Sequence, residues 1–383
     1  MALSALDAER LAAALSRAME AIGTSDPNPR VGCIIGRSDG TLLGSGSTQQ
    51  AGAAHAEVMA LRAAQAAGLD VRGATAWVTL EPCAHHGRTP PCCDALVAAG
   101  VARVVIAVQD PFPGVAGRGI ERRRAAGVEV ELADGAIAHA ARELNIGFFS
   151  RQERGLPWVR LKVAASLDGR TALENGASQW ITGAPARADG HAWRRRAGAV
   201  LTGIGTVLAD DPRLDVRLVP TTLQPLRVVL DSQLRLPASA RILQSPGRVL
   251  VVTACADEAP AEPLLRQGAE VLRLPDAQGR VDLQALLVEL GKREINELHV
   301  EAGALLNASL LHQRHVDELL IYLAPTLLGP GRGWVDWPAF EALAQASPWR
   351  FDESVQLGND LRLRARRLPD TVAEPYVDEI YTN

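Results

Sequence analysis

Apolar residues recur along this chain in two alternating registers, one helical and one strand-like. At 6–22, apolar positions fall at helical spacing between charges, which predicts an amphipathic helix. Segments 31–35 and 41–44 flank Asp39-Gly40 and read as a hairpin. A helix at 55–67, a strand at 76–80, a helix at 92–99, strands at 103–108 and 127–132 and a helix at 134–144 complete an α/β sandwich pattern. The stretch 145–157 (NIGFFSRQERGLP) breaks the periodicity with Gly, charge and Pro and reads as a boundary. A second α/β series follows, with strands expected at 158–163, 199–202, 226–231, 248–253, 271–274, 297–300 and 318–323. The expected domains are 1–150 and 155–370, ahead of a polar tail, 371–383, that is expected to be poorly ordered and to carry no function.

Length agrees with two domains, since 383 residues exceed what one core usually serves. Hydrophobic residues make up 47% and charged residues 22%, an ordinary globular balance. A net charge of −4 excludes the broad basic field that attracts a nucleic-acid backbone. The triplets Arg122-Arg123-Arg124 and Arg194-Arg195-Arg196 read as solvated helix faces. No apolar run reaches the ~20 residues needed to span a bilayer, and Asp7, Glu9 and Arg10 interrupt any secretion signal. Five cysteines do not suggest a disulfide framework, so a reducing cytoplasm is expected.

The chemistry starts at His55-Ala56-Glu57, followed by Pro82-Cys83 and, after eight more residues, Cys92. One imidazole, two thiols and a carboxylate not needed as a ligand are the parts of a zinc-activated water with its own proton shuttle. His55, Cys83 and Cys92 are the expected zinc ligands, and Glu57 the acid and base in hydrolytic removal of an amino group. Both cysteines stand where a strand ends or a helix starts, which favours thiolate. Because Glu57 is two positions after His55, the metal must sit over the first turn of the helix. A closed structural site remains open as an alternative, with Cys93, His85 or His86 as fourth ligand, although Cys93 would project the other way from Cys92. Zinc deaminases commonly place two residues between the cysteines, and here there are eight.

The second half offers weaker signals. Gly203-Ile204-Gly205 lacks a full dinucleotide fingerprint. The sequence 300–306 (VEAGALL) reads as a strand, a Gly turn and a helix start, a ready phosphate site. From physics alone these glycines remain open to being ordinary turns, Asp210-Asp211-Pro212 a capped turn and Trp180 a core aromatic.

The stretch 79–92 (TLEPCAHHGRTPPC), with its long His-rich cysteine spacing, resembles the deaminase domain of the bifunctional riboflavin-biosynthesis deaminase/reductase family. Pro27-Asn28-Pro29 and the AVQDP of 107–111 add to the likeness, while Ala84 stands where many relatives have Ser. The segments 161–170, 178–182, 202–212 and 300–306 resemble the reductase domain of the same family. The resemblance implies a cytidine-deaminase-like α/β/α sandwich followed by a dihydrofolate-reductase-like α/β domain. It implies that Asn28, His85 and Arg88 contact the pyrimidine or its ribose phosphate. It further implies that Ala164, Trp180, Thr206, Asp210, Ser232, Gly303, Ala304, Leu305 and Leu306 line NADPH. Lys162, Ser178, Arg194, Leu214, Arg217 and Glu301 would then face the substrate, with Lys162 and Asp210 as polar groups near the reacting carbon.

The expected function is hydrolysis of the 2-amino group of 2,5-diamino-6-ribosylamino-4(3H)-pyrimidinone 5′-phosphate, then NADPH-dependent reduction of the ribosyl group to ribityl. Zn2+ and NADPH are the expected cofactors and a phosphorylated pyrimidine the partner. Nucleic acid and membrane are not expected partners, and a homo-oligomer is. The rival readings are a nucleoside or nucleobase deaminase with an inactive or unrelated second domain, and a non-catalytic zinc-stabilised module.

Overall fold

The computed structural model describes residues 3–83, 91–112, 117–257, 259–337, 339–342 and 346–368. They divide into two compact units, Met1–Pro157 with Gly291–Asn296, and Trp158–Leu290 with Glu297–Asn383.

The first unit runs α1 (Ala5–Met19), β1 (Gly32–Gly36), β2 (Leu42–Ser47), α2 (Ala56–Ala66), β3 (Thr75–Val78), α3 (Cys92–Ala98), β4 (Arg103–Ile106), α4 (Arg118–Ala125), β5 (Glu129–Leu132), α5 (Gly135–Leu144) and α6 (Ile146–Arg154). Among the described residues its strands form a five-stranded sheet in the order β2-β1-β3-β4-β5. Strand side chains alternate between faces. Cys33, Ile35, Ala76, Val78, Val104 and Ile106 pack with α2, α3 and α4, whereas Ile34, Trp77 and Val105 pack with α1 and α5. The result is the α/β/α sandwich.

The second unit runs β6 (Trp158–Ser166), β7 (Arg170–Leu173), α7 (Ala184–Arg196), β8 (Ala199–Gly203), α8 (Ile204–Asp210), β9 (Leu226–Leu230), α9 (Arg241–Gln244), β10 (Val249–Thr253), α10 (Glu262–Arg266), β11 (Glu270–Arg273), α11 (Leu283–Lys292), β12 (Glu297–Val300), α12 (Ala304–His312), β13 (Glu318–Ala324), β14 (Gly331–Gly333), β15 (Trp349–Leu357) and β16 (Asp360–Arg367). Among the described residues nine strands form one sheet in the order β11-β10-β9-β8-β12-β6-β13-β16-β15. From β11 to β13 neighbours are parallel; β16 and β15 add an antiparallel edge. β9 and β10 are buried throughout, as the interior of a parallel sheet requires.

Three features depart from the sequence reading. Most of the stretch read as a boundary is helix α6, whose Phe148 and Phe149 are buried in the first unit's core, and the units divide at the end of that stretch, after Pro157. Its apolar run is too short to show a period until a core is there to receive it. The hairpin β15–β16 carries so many charges that no strand was expected. Its arginines are held by buried or half-buried carboxylates, Arg362 by Asp189 at 2.9 Å and Arg366 by Glu318 at 3.2 Å. The arginine triplets are not uniformly solvated, because Arg123 is fully buried and Arg194 and Arg196 are largely covered. The tail from 371 lies outside the described residues, and no helix among them is long and apolar enough to cross a membrane.

Asp7, on an otherwise amphipathic helix, is buried and ties α1 to the sheet. It accepts from Trp77 Nε1 at 2.7 Å and from Arg103 Nη1 at 2.7 Å. Burial alone would raise its pKa, but the hydrogen bonds from Arg103, Ser4 and Trp77 and the charge of Arg103 hold it well below the usual carboxylate range. A depressed folded pKa gives stability that is present above the ordinary carboxylate pKa of about 4 and lost as pH falls. Asp7→Asn should therefore cost roughly 2–3 kcal/mol at pH 7. The difference from wild type in urea unfolding should shrink as pH is lowered through about 4; a gap independent of pH would show that the ionised carboxylate is not the cause.

Candidate active sites

Strand direction gathers the first site. β1 is antiparallel to both neighbours, with Gly32 opposite Ser47 and Cys33 opposite Val78. The start of β1 therefore lies beside the ends of β2 and β3, and β4, parallel to β3, ends at the same edge. Pro27-Asn28-Pro29 enters there, and His55, Cys83 and Asp110 leave from it. Helix α2 packs directly on the backbone of β2. A Cβ on Gly46 would stand 2.6 Å from the Ala56 carbonyl oxygen, and one on Gly44 would stand 2.3 Å from that of Ala60. This close approach sets where the first turn of α2 presents its residues.

His55 is the N-cap of α2. Its Nδ1 lies 3.6 Å from Cys83 Sγ and 3.2 Å from Cys92 Sγ, and the three donor atoms all fall within 4.8 Å of one another. Tetrahedral zinc with these ligands places donors about 3.5–3.8 Å apart, so the set fits the metal. Cys92 begins α3, and its backbone N–H donates to Cys83 Sγ at 3.3 Å. A hydrogen bond from the Cys92 thiol, with others from His55 and the Cys92 N–H, pulls the Cys83 thiol down to about 4, and the same pairing pushes Cys92 up. One thiolate disfavours a second beside it, and a divalent cation between them would relieve that repulsion. Among the described residues the donor group has these three members. Cys93 faces away, with its Sγ donating to Asp94 at 3.4 Å. His85, His86 and Arg88 lie outside the described residues.

Glu57 is buried in the first turn of α2, and that burial raises its carboxyl pKa. Asn28 is half-buried in a turn where its N–H donates to the Ser25 carbonyl at 2.9 Å. Asn296 braces the same loop, donating from Nδ2 to the Pro27 carbonyl at 2.9 Å. Sequence reasoning missed both Asn296 and Glu81. Buried Glu81 accepts from the Gly117 N–H at 3.1 Å and the Ile120 N–H at 3.2 Å, anchoring the start of α4 beside Cys83. An acid two residues before a ligand cysteine was the available signal.

The second site lies at the C-terminal ends of the adjacent parallel strands β9, β8, β12 and β6. Glu301 follows β12 directly, with its N–H donating to the Leu201 carbonyl at 2.8 Å. Its carboxylate takes a bidentate contact from Arg194, with Nη2 at 2.9 Å, and stands 3.7 Å from Lys162 Nζ. Burial lowers the Lys162 ammonium pKa, against the opposing charge of Glu301. Burial would raise Glu301, but Arg194 and Lys162 hold it well below its ordinary value. Arg194 Nη1 also donates to the Asp215 carbonyl at 3.1 Å, and the exposed Arg217 donates to Asp215 Oδ1 at 2.6 Å. Buried Asp215, which sequence reasoning also missed, thus joins the two arginines next to buried Leu214.

Gly203 and Gly303 are extended N-caps of α8 and α12 without side-chain caps. Thr206 Oγ1 lies 3.7 Å from where a Cβ on Gly303 would stand, and Leu306 lies 3.4 Å from the equivalent point on Gly203, so the two turns face each other. Ala304 and Leu305 form the first turn of α12, and Leu305 is 73% exposed. Ser232 follows β9, and Ala164 lies on β6. Ser178 is half-buried in the loop before α7. Trp180, in that loop, is 67% exposed with the Arg187 guanidinium 4.7 Å from its ring centre, which excludes a core role. Asp210 stands exposed at the C-terminal end of α8, so the partner the structure gives Lys162 is Glu301.

Residues 6–108 match the cytidine and deoxycytidylate deaminase zinc-binding region, and residues 157–363 match the RibD C-terminal domain. The chain is 46% identical over 369 residues to the riboflavin biosynthesis protein RibD of Escherichia coli, covering 92% of this chain and 97% of that one. A solved structure of Acinetobacter baumannii RibD superposes with a TM-score of 0.85 at 43% identity, covering 95% of this chain and 99% of that one. The diaminohydroxyphosphoribosylaminopyrimidine deaminase/5-amino-6-(5-phosphoribosylamino)uracil reductase of Thermotoga maritima gives a TM-score of 0.84 at 30% identity, with coverage of 95% and 99%. With two sites built on two α/β units and this likeness along almost its whole length, the chain belongs to the RibD family of riboflavin biosynthesis proteins and is a bifunctional deaminase and reductase.

Proposed function

We propose that the first unit is a zinc-dependent deaminase of 2,5-diamino-6-ribosylamino-4(3H)-pyrimidinone 5′-phosphate, and that the second reduces the deaminated product's ribosyl group to ribityl with NADPH. The observation that carries the reading is the meeting of His55, Cys83 and Cys92 donor atoms within 4.8 Å beside the buried Glu57. His55, Cys83 and Cys92 would hold the metal, whose Lewis acidity makes water nucleophilic near neutral pH. Glu57, with its pKa raised by burial, carries one proton of the attacking water to the ring nitrogen and the second to the amino group, which leaves as ammonia when the C–N bond breaks. Asn28 orients the pyrimidine, and His85 and Arg88 complete its binding.

In the second unit NADPH supplies the hydride. The N–H groups at the starts of α8 and α12 are offered to its phosphates, with Ala164, Trp180, Thr206, Asp210, Ser232 and Gly303 to Leu306 along the cofactor. Ser178, Leu214 and Arg217 line the substrate, and Arg217 keeps donors free for its phosphate. Arg194 holds the Glu301 carboxylate toward Lys162, whose ammonium carries a proton at the reacting end. We place the enzyme in a reducing cytoplasm, where Cys83 and Cys92 stay reduced, and as a homo-oligomer on the strength of the resemblance. The expected domain limits, 1–150 and 155–370, remain part of this proposal.

Four outcomes test the reading. The purified protein, given the diaminopyrimidinone ribosyl phosphate, should release ammonia and then oxidise NADPH; ammonia without NADPH oxidation would leave only the deaminase half of the reading. Cys83→Ser should lose zinc by metal analysis together with deamination, whereas Glu57→Gln should keep zinc and slow deamination ~100-fold or more. Normal turnover in the Glu57 variant would remove it as the shuttle. Glu301→Gln should lower NADPH oxidation ~100-fold with ammonia release unchanged, and equal loss of both signals would argue for a structural role.

A further inference from the structure

Arg123 is the middle residue of an arginine triplet on α4, and its environment differs from that of its neighbours. Arg122 reaches Asp94 at 3.0 Å on the surface, and Arg124 reaches the Val130 carbonyl at 3.3 Å. Arg123 is 0% exposed, and its Nε, Nη1 and Nη2 make no hydrogen bond to a described residue. A guanidinium does not give up its proton in a protein, so this charge stays in the interior. An unpaired buried charge is strongly unfavourable and persists only where opposite charge lies close by.

That charge lies around the turn that leads to Cys83. Gly119 lies one turn earlier on α4, and the absence of a side chain there lets the helix sit against the turn that leads to Cys83. A Cβ at Gly119 would stand 2.8 Å from the Pro82 carbonyl oxygen, 3.0 Å from Glu81 Oε1 and 3.3 Å from Arg123 Nη2. Burial depresses the guanidinium, and the neighbours that oppose this are Cys93, Glu57, Glu81 and Cys83, of which the two carboxylates and the Cys83 thiolate carry charge. Two thiolates and two carboxylates exceed the charge of one divalent cation, so the loaded centre is negative without a further buried cation.

We propose that Arg123 is a positioning residue for the metal centre, a buried counter-charge packed against the Glu81-Pro82 turn before Cys83 that sets how tightly zinc is held. The inference rests on the zinc reading above. It predicts that the same side chain strengthens metal binding and destabilises the metal-free protein.

The test uses the full chain, with zinc affinity measured by competition against a chromophoric chelator and thermal unfolding followed after zinc removal. Arg123→Leu removes the charge at similar volume and should weaken zinc affinity about 10- to 100-fold, while the metal-free variant melts no lower than metal-free wild type. Arg123→Lys keeps the charge and should restore most of the affinity. Wild-type zinc affinity in Arg123→Leu would overturn the proposal, as would a metal-free Leu variant that melts lower or fails to fold, since either makes Arg123 a packing residue. Cys83→Ser separates the two levels. If it binds zinc as tightly as wild type, the ligand assignment itself fails; if it loses zinc while Arg123→Leu does not, only the counter-charge fails.

Discussion

Strand direction is the constraint on which both candidate sites depend. Parallel neighbours bring their C-terminal ends to one edge of a sheet, and the turns that leave that edge open helices whose first N–H groups have no partner. In the first unit the antiparallel β1 adds the start of a strand to the same edge, so a loop entering the sheet meets three segments leaving it. In the second unit β9, β8, β12 and β6 lie side by side, and their ends carry Ser232, the Gly203 turn, Glu301 with the Gly303 turn, and Lys162. In one unit the helix starts carry His55 and Cys92; in the other they are the Gly203 and Gly303 turns, which have no side-chain cap.

Buried charge then separates structure from chemistry. Arg160 is held by Glu297 at 2.8 Å and Glu318 at 2.5 Å, with its guanidinium 4.3 Å from the Trp193 ring centre. Every side of that group is occupied, which suits a role in joining β6 to its neighbours. Lys162, two residues further along the same strand, has one carboxylate at 3.7 Å and an ammonium weakened by burial. An incompletely paired buried charge is costly to keep, and such groups concentrate where substrates bind. Arg123 is the corresponding case in the first unit.

Much of the fold was legible because the strands that build the two cores are short apolar runs between turn signals. The parallel strands of the second unit all fall within a few residues of their expected positions. Elements whose sequences report a surface instead of a core were not legible. The hairpin β15–β16 reads as a polar stretch because its arginines satisfy carboxylates contributed by α7 and β13. Helix α4 has one buried aliphatic residue, Ile120, and is held in place by the Glu81 carboxylate, which a local pattern does not reveal.

Spacing and residue type alone specified the donor set of His55, Cys83 and Cys92, the separate carboxylate of Glu57 and the order of the two α/β units, because ligand chemistry and hydrophobic period are properties of residues and short windows. The pairing of Glu301 with Arg194 and Lys162, the anchoring of Arg194 on Asp215, the bracing of the Pro27 loop by Asn296 and the burial of Arg123 against the Glu81 turn depend on residues between about 20 and 270 positions apart. Those partners are chosen by strand order and helix packing, which act through space and leave no periodic trace along the chain.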